Sequence, residues 1–111
     1  MELTEAISDY LAKKLGTLEK FLDPKVEAMA RVEMGRTTNH HHKGDVYHAE
    51  INLEVGKEIY RAEAQTSDLY AAIDMMKDEV AQEVIRNSKK KRHMLKRGHQ
   101  KIKDLFKGFR G

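Results

Sequence analysis

Residues 46 to 66 admit essentially one local arrangement. Gly56-Lys57 separates two alternating runs, and a Gly-X pair suits a two-residue type II′ hairpin turn. That turn sets Val55 opposite Glu58, which places Leu53 against Tyr60, Ile51 against Ala62, Ala49 against Ala64 and Tyr47 against Thr66. These pairs give both strands, 46 to 55 and 58 to 66, one apolar face. The other face pairs Asn52 with Arg61, Glu50 with Glu63 and His48 with Gln65. Side chains alternate with period two, so a slip of one residue would bury this polar set. Arg61, diagonal to the Glu50–Glu63 pair, can offset its repulsion.

A sheet with one apolar face needs a covering layer. Two segments can supply it. In residues 67 to 92, Leu69, Ile73, Met76, Val80 and Val84 recur at spacings of 4, 3, 4 and 4, one face of a helix. Ser67 is the expected N-cap, with Asp68 in the first turn, where the helix dipole favours an acid. Residues 4 to 22 form the other helix, with a stripe of Ile7, Leu11, Leu15, Leu18 and Leu22 and Thr4 as cap. Asp23-Pro24 ends it, because the residue before a proline is pushed out of the α region. Residues 25 to 34 alternate and read as a third strand, and the polar stretch 35 to 45 reads as an exposed loop. The expected fold is α+β: three antiparallel strands with two helices on one face.

At 111 residues the chain holds one domain with a modest core. It has no Cys, which removes disulfides and thiolate chemistry and suits a reducing cytosol. No run approaches the ~18 apolar residues of a membrane span. The acidic N-terminus is unlike a secretory signal. The net charge of +3 conceals a division. Residues 1 to 85 hold 10 Lys/Arg against 17 Asp/Glu, whereas residues 86 to 111 hold 11 against one, Asp104. Such asymmetry points to a polyanionic partner. Cations also suit the negative end of a helix dipole, but that accounts for one or two of them, not for a run from Arg86 through Lys89, Lys90, Lys91 and Arg92 to Lys96 and Arg97.

No other constellation carries chemistry. His40, His41 and His42 are adjacent in a loop and lack the spacing of a closed tetrahedral site, so no metal is expected. Asp74, Asp78, Glu79 and Glu83 lie off the apolar stripe and read as solvated. No phosphate loop or nucleophile motif is present, and neither an enzyme nor a cofactor is expected. Few aromatics accompany the basic residues, so base-stacking platforms are not indicated. Backbone and shape contacts on folded RNA fit better. The tail beyond Arg92 carries Ile102, Leu105, Phe106 and Phe109 at amphipathic spacing among lysines. It reads as a short basic helix or a segment that orders on a partner.

Two stretches resemble a known family. ELTEAISDYLAKKLGTLEKF is similar to the first helix of the ribosome hibernation-promoting factor and ribosome-associated inhibitor family, and DLYAAID to the start of its second helix. The resemblance covers residues 2 to about 92 and implies a β-α-β-β-β-α domain with both helices on one sheet face. It implies binding in the mRNA and tRNA channel of the small ribosomal subunit, through basic side chains of the helices, so that idle ribosomes stay inactive. The expected rRNA contacts are Lys14 and Lys20 on the first helix and Arg86, Lys89, Lys90, Lys91 and Arg92 on the second. Residues 1 to 92 would be the ribosome-binding domain and 93 to 111 a basic tail, in a cytoplasmic protein that is monomeric off the ribosome and has no membrane or small-molecule partner.

The chain departs from the family pattern twice. The family has a strand before ELTEA, so that strand lies upstream or the sheet has three strands and an open edge. Mid-helix, relatives usually carry a Lys-Leu-Glu-Arg-Gln-like segment where this chain reads Glu79-Val80-Ala81-Gln82-Glu83, which shifts expected contact toward Arg86 and beyond. Two alternatives remain. The order α-β-β-β-α is also that of a double-stranded-RNA-binding domain, although its basic cluster opens the second helix, where this chain has Ser67-Asp68. The tail, through Phe106, Phe109 and its lysines, also suits an anionic membrane surface.

Overall fold

The computed structural model describes residues 3 to 38 and 44 to 98, with side chains described as far as Lys89 except for that of Thr38. Helix α1 (Glu5–Gly16) precedes strands β1 (Ala28–Thr38), β2 (Asp45–Val55) and β3 (Glu58–Thr66), and helix α2 (Leu69–Gly98) follows. The strands form one antiparallel sheet in the order β1-β2-β3. His40, His41 and His42 lie outside the described residues.

The hairpin has the expected register, from Val55 opposite Glu58 to Tyr47 opposite Thr66. Gly56 takes φ 60°, a left-handed conformation that glycine adopts without a Cβ penalty, and Lys57 is not in the positive-φ region. Arg61 differs from expectation. Its Nε donates to Asn52 directly opposite at 3.2 Å rather than bonding across the diagonal, though it lines the same shallow hollow as Glu50 and Glu63.

Strand β1 starts later and runs further than the alternation suggested. Asp23 closes a turn in which its carboxylate accepts from Lys25 N–H at 2.9 Å and its carbonyl from Val26 N–H at 3.0 Å. The turn consumes the first residues of the expected strand. At the other end Gly35, Arg36, Thr37 and Thr38 pair with His48, Tyr47, Val46 and Asp45, so part of the expected loop is strand. Their polarity hid them. Their pairing is supplied by β2, and an ion pair of 3.7 Å between Arg36 and Asp45 sits at that end. Gly35 has a packing reason: a Cβ there would overlap the His48 imidazole across the ladder.

The first helix is shorter than its stripe. Thr4 caps it as expected, its hydroxyl accepting from Ile7 N–H at 3.2 Å. The helix stops at Gly16, a weak helix former, and Thr17 turns its hydroxyl back onto the Lys14 carbonyl at 2.6 Å. A 3-10 turn (Glu19–Phe21) continues the path, with i→i+3 bonds from Phe21 to Leu18 and from Leu22 to Glu19. That change of pitch still delivers Leu18 to the core.

Helix α2 covers β3 and β2, and α1 packs along its flank on the same side of the sheet. All five stripe residues, Leu69, Ile73, Met76, Val80 and Val84, are buried, facing Ala49, Ile51, Leu53, Ala62 and Ala64. Ile51, Ile73, Met76 and Val80 are fully buried, each worth about 1.5–3 kcal/mol of transfer free energy. No residue of α1 itself is buried, so α1 is the weaker layer. Ala28 and Ala30 of β1 stay exposed beneath it, and among the described residues no strand pairs with the outer rim of β1. The cap of α2 is Asp68 rather than Ser67. Its carboxylate accepts from Tyr70 N–H at 3.2 Å, and its own N–H donates to the Thr66 hydroxyl at 3.1 Å.

Candidate nucleic-acid interface

The helix that supplies the core also presents the charge. Its backbone is helical from Leu69 to Gly98 without interruption, past Arg92. Thirty residues at ~1.5 Å each make a rod of about 45 Å. The rod is anchored up to Val84 by its buried stripe and once more at Asn87, whose side-chain amide donates to the Tyr60 hydroxyl at 2.6 Å. The basic run begins beside that anchor. Its direction is therefore set by the sheet.

Lys89 is exposed. Arg86 is exposed as well, and its guanidinium pairs with Glu83 one turn back at 2.6 Å. Exposed pairs of this kind are worth little and exchange readily. Lys90, Lys91 and Arg92 lie on the helical backbone, and their side chains are outside the described residues, as are Ile102, Leu105, Phe106 and Phe109. Earlier in the helix Lys77 pairs with Asp78 at 2.6 Å, and Asp78 and Glu79 are exposed.

Lys14 is placed differently. Helix α1 runs alongside α2 in the same sense: Ile7 shares a hollow with Leu69 and Tyr70, while Tyr10 and Lys14 reach Asp74. The Lys14 ammonium is 3.2 Å from Asp74 Oδ1, and the Tyr10 hydroxyl donates to the same oxygen at 2.7 Å. Lys14 also sits 5.3 Å from the centroid of the Tyr10 ring, and that ring meets Tyr70 edge-on at 4.8 Å. The Tyr10 hydrogen bond, and then the Lys14 ammonium, hold the Asp74 carboxyl below the usual carboxylate value. Bonding to Asp74 raises both Tyr10 and Lys14 above theirs. Lys20 lies in the 3-10 turn, 5.1 Å from the centroid of Phe21.

The residues expected to contact RNA thus fall into two groups. Lys14 meets α2 at Asp74, whereas Arg86 and Lys89 lie 12 and 15 positions further on, about 18 to 22 Å along the axis. Lys20 follows Lys14 in the direction of the basic end, where the 3-10 turn also touches α2. Sequence reasoning missed Tyr10, Asp74, Tyr60 and Asn87, which fix these groups. The i, i+4 spacing of Tyr10 and Lys14 was a visible signal, but nothing local links either to Asp74. Among the described residues no cluster of His, Asp or Glu is arranged for a metal, and no helix is long and apolar enough to cross a membrane.

Comparison with known proteins agrees with this architecture. The family model described as "Sigma 54 modulation protein / S30EA ribosomal protein" matches residues 1–92. A "Ribosome hibernation promotion factor" of Staphylococcus aureus is 29% identical over 84 residues, 76% of this chain and 42% of that protein. A protein of the same name from Deinococcus radiodurans is 32% identical over 78 residues, 70% of this chain and 39% of its own length. The chain thus spans about two-fifths of the curated relatives it matches. Among solved structures, the Thermus thermophilus Protein Y N-terminal domain superposes with a TM-score of 0.67 at 35% identity, covering 78% of this chain and 87% of that one. A ribosomal subunit interface protein from Coxiella burnetii shares the fold, with a TM-score of 0.56 at 13% identity over 79% of this chain and 88% of its own. With two helices packed on one face of an antiparallel sheet and a family match over its first 92 residues, the chain belongs to the Sigma 54 modulation protein / S30EA ribosomal protein family.

Proposed function

We propose that this chain is a cytoplasmic ribosome hibernation factor that binds the small subunit in its mRNA and tRNA channel and is monomeric when released. The observation that carries the reading is the single helix α2, whose first half is clamped to the sheet and whose basic half projects onward from Asn87. A rigid basic rod can lie along a phosphate backbone without ordering a flexible segment first, which lowers the entropic cost of binding. The names of the Staphylococcus and Deinococcus relatives support the same function.

In this reading Arg86, Lys89, Lys90, Lys91 and Arg92 contact rRNA, and Lys20 extends the surface from the 3-10 turn. The mid-helix acids Asp78 and Glu79 are exposed and disfavour phosphate, so contact concentrates at the C-terminal half of α2. Residues 1 to 92 act as the binding domain, and the tail from 93 to 111 adds electrostatic attraction. The protein performs no reaction. It acts by occupying space.

Sedimentation of cell extract through a sucrose gradient tests this. The protein travels with ribosomes, most strongly from stationary or starved cells, and is released by high salt. Recovery only in the soluble top fractions at low salt would overturn the reading.

A further inference from the structure

Among the described residues, Lys14 is a basic side chain whose acidic partner lies on a different helix and is itself held by a third group. The Arg86–Glu83 pair is local to α2 and its guanidinium is well exposed, so that cation exchanges easily, whereas Lys77 stays beside Asp78 on its own helix with little exposure. Lys14 is more confined than Arg86. Asp74 Oδ1 takes both its ammonium and the Tyr10 hydroxyl, the Tyr10 ring lies beneath the ammonium, and only 28% of the Lys14 side chain is exposed. A phosphate approaching Lys14 meets a neutralised pair, with the Asp74 carboxylate, 41% exposed, beside it.

We propose that Asp74 limits the affinity of the α1–α2 surface for a polyanion backbone, by holding Lys14 in an ion pair that a phosphate must displace. The inference rests on the ribosome reading for the identity of the polyanion, not for the geometry. Asn at position 74 keeps a carbonyl oxygen for the Tyr10 hydroxyl and removes the charge, so the α1–α2 junction persists while Lys14 is released. Lys77 does not take its place as a free cation, because it remains paired with Asp78.

Binding of the full chain to heparin and to purified small ribosomal subunits, across a salt series, tests this. Asp74→Asn binds both about 3- to 10-fold more tightly at low salt, and its log–log salt dependence steepens by ~0.9, the value of one added phosphate contact. In the Asp74→Asn background Lys14→Gln removes most of the gain. The inference fails if Asp74→Asn binds no better than the parent, or if its gain survives Lys14→Gln. Should Asp74→Asn not fold, Asp74→Ser, which also removes the charge and keeps an oxygen for the Tyr10 hydroxyl, is read the same way: no gain in binding, or a gain that survives Lys14→Gln, overturns the assignment. A parent that binds heparin but not subunits, with the Asp74→Asn gain intact on heparin, refutes the ribosome reading and supports the role of Asp74.

Discussion

Asn87 on α2 donates its side-chain amide to the Tyr60 hydroxyl on β3 at 2.6 Å, joining the start of the basic run to the sheet. Tyr60 is half-buried and faces Leu53 across the ladder, so its ring is already part of the packed face. Tyr60→Phe keeps that ring and leaves the Asn87 amide without this partner. The expected cost is about 1 kcal/mol, seen as a lower thermal midpoint. Amide exchange of residues 85 to 89 should quicken more than that of residues 73 to 80, because the bond is the last described tie before the helix projects.

Reversing Lys89, Lys90 and Lys91 to Glu separates binding from folding. Lys89 is exposed and no described contact of the fold uses it. Six units of charge change on the rod should abolish polyanion binding at moderate salt, while the folding free energy changes by no more than the ~0.5 kcal/mol per residue typical of surface substitutions and the thermal midpoint moves little. Circular dichroism melts and heparin retention measure the two quantities. A large loss of stability would mean these lysines belong to the structure.

Gly35 and His48 make a steric pair across the β1–β2 ladder. Gly35→Ala should destabilise by about 1–3 kcal/mol, the usual cost of overpacking, because the imidazole has to move. His48→Ala should relieve that penalty in the double variant. Denaturant midpoints of the four chains give the coupling, and additivity within ~0.5 kcal/mol would show that the ring yields freely.

The junction of Tyr10, Lys14 and Asp74 fixes a pH dependence. The Asp74 carboxyl is held below its ordinary value of 3.8, so its stabilisation is complete above that value and is lost as pH falls through the lower, folded value. Tyr10 is raised above 10.0, so its contribution is complete below pH 10.0 and is lost as pH rises through the higher, folded value. Lys14 is raised above 10.5 and behaves in the same direction as Tyr10. Thermal midpoints of Asp74→Asn across pH 2 to 12 should therefore lack part of the loss seen on the acid side below 3.8. An unchanged acid limb would mean the pair contributes nothing measurable.

Which parts of this molecule were legible in the chain follows from how local their causes are. The hairpin from Tyr47 to Thr66 was readable to the residue because a two-residue turn and a period of two leave one register. The α2 stripe was readable because five apolar positions on one helical face have no other use. The helix to Leu22, the strand ending at Met34 and the cap at Ser67 were each misplaced. Tertiary pairing outweighed local pattern in the strand, where β2 drew polar residues of β1 into the ladder; the helix end and the cap turned instead on short-range contacts, of Thr17 with Lys14 and of Asp68 with Thr66 and Tyr70.

By itself the sequence determined the two layers, the register of the β2–β3 hairpin and the separation of an acidic body from a basic end, since each rests on spacing or charge along the chain. Only the tertiary structure decided what those charges meet. Lys14 and Asp74 are 60 positions apart, as the numbering shows, and touch at 3.2 Å because α1 lies along α2. Tyr60 and Asn87 meet because α2 crosses β3, and that crossing aims the basic half of the helix. Contacts between residues so distant in sequence leave no periodic trace in it, and they are what separates the held cation on α1 from the exposed Lys89 on α2.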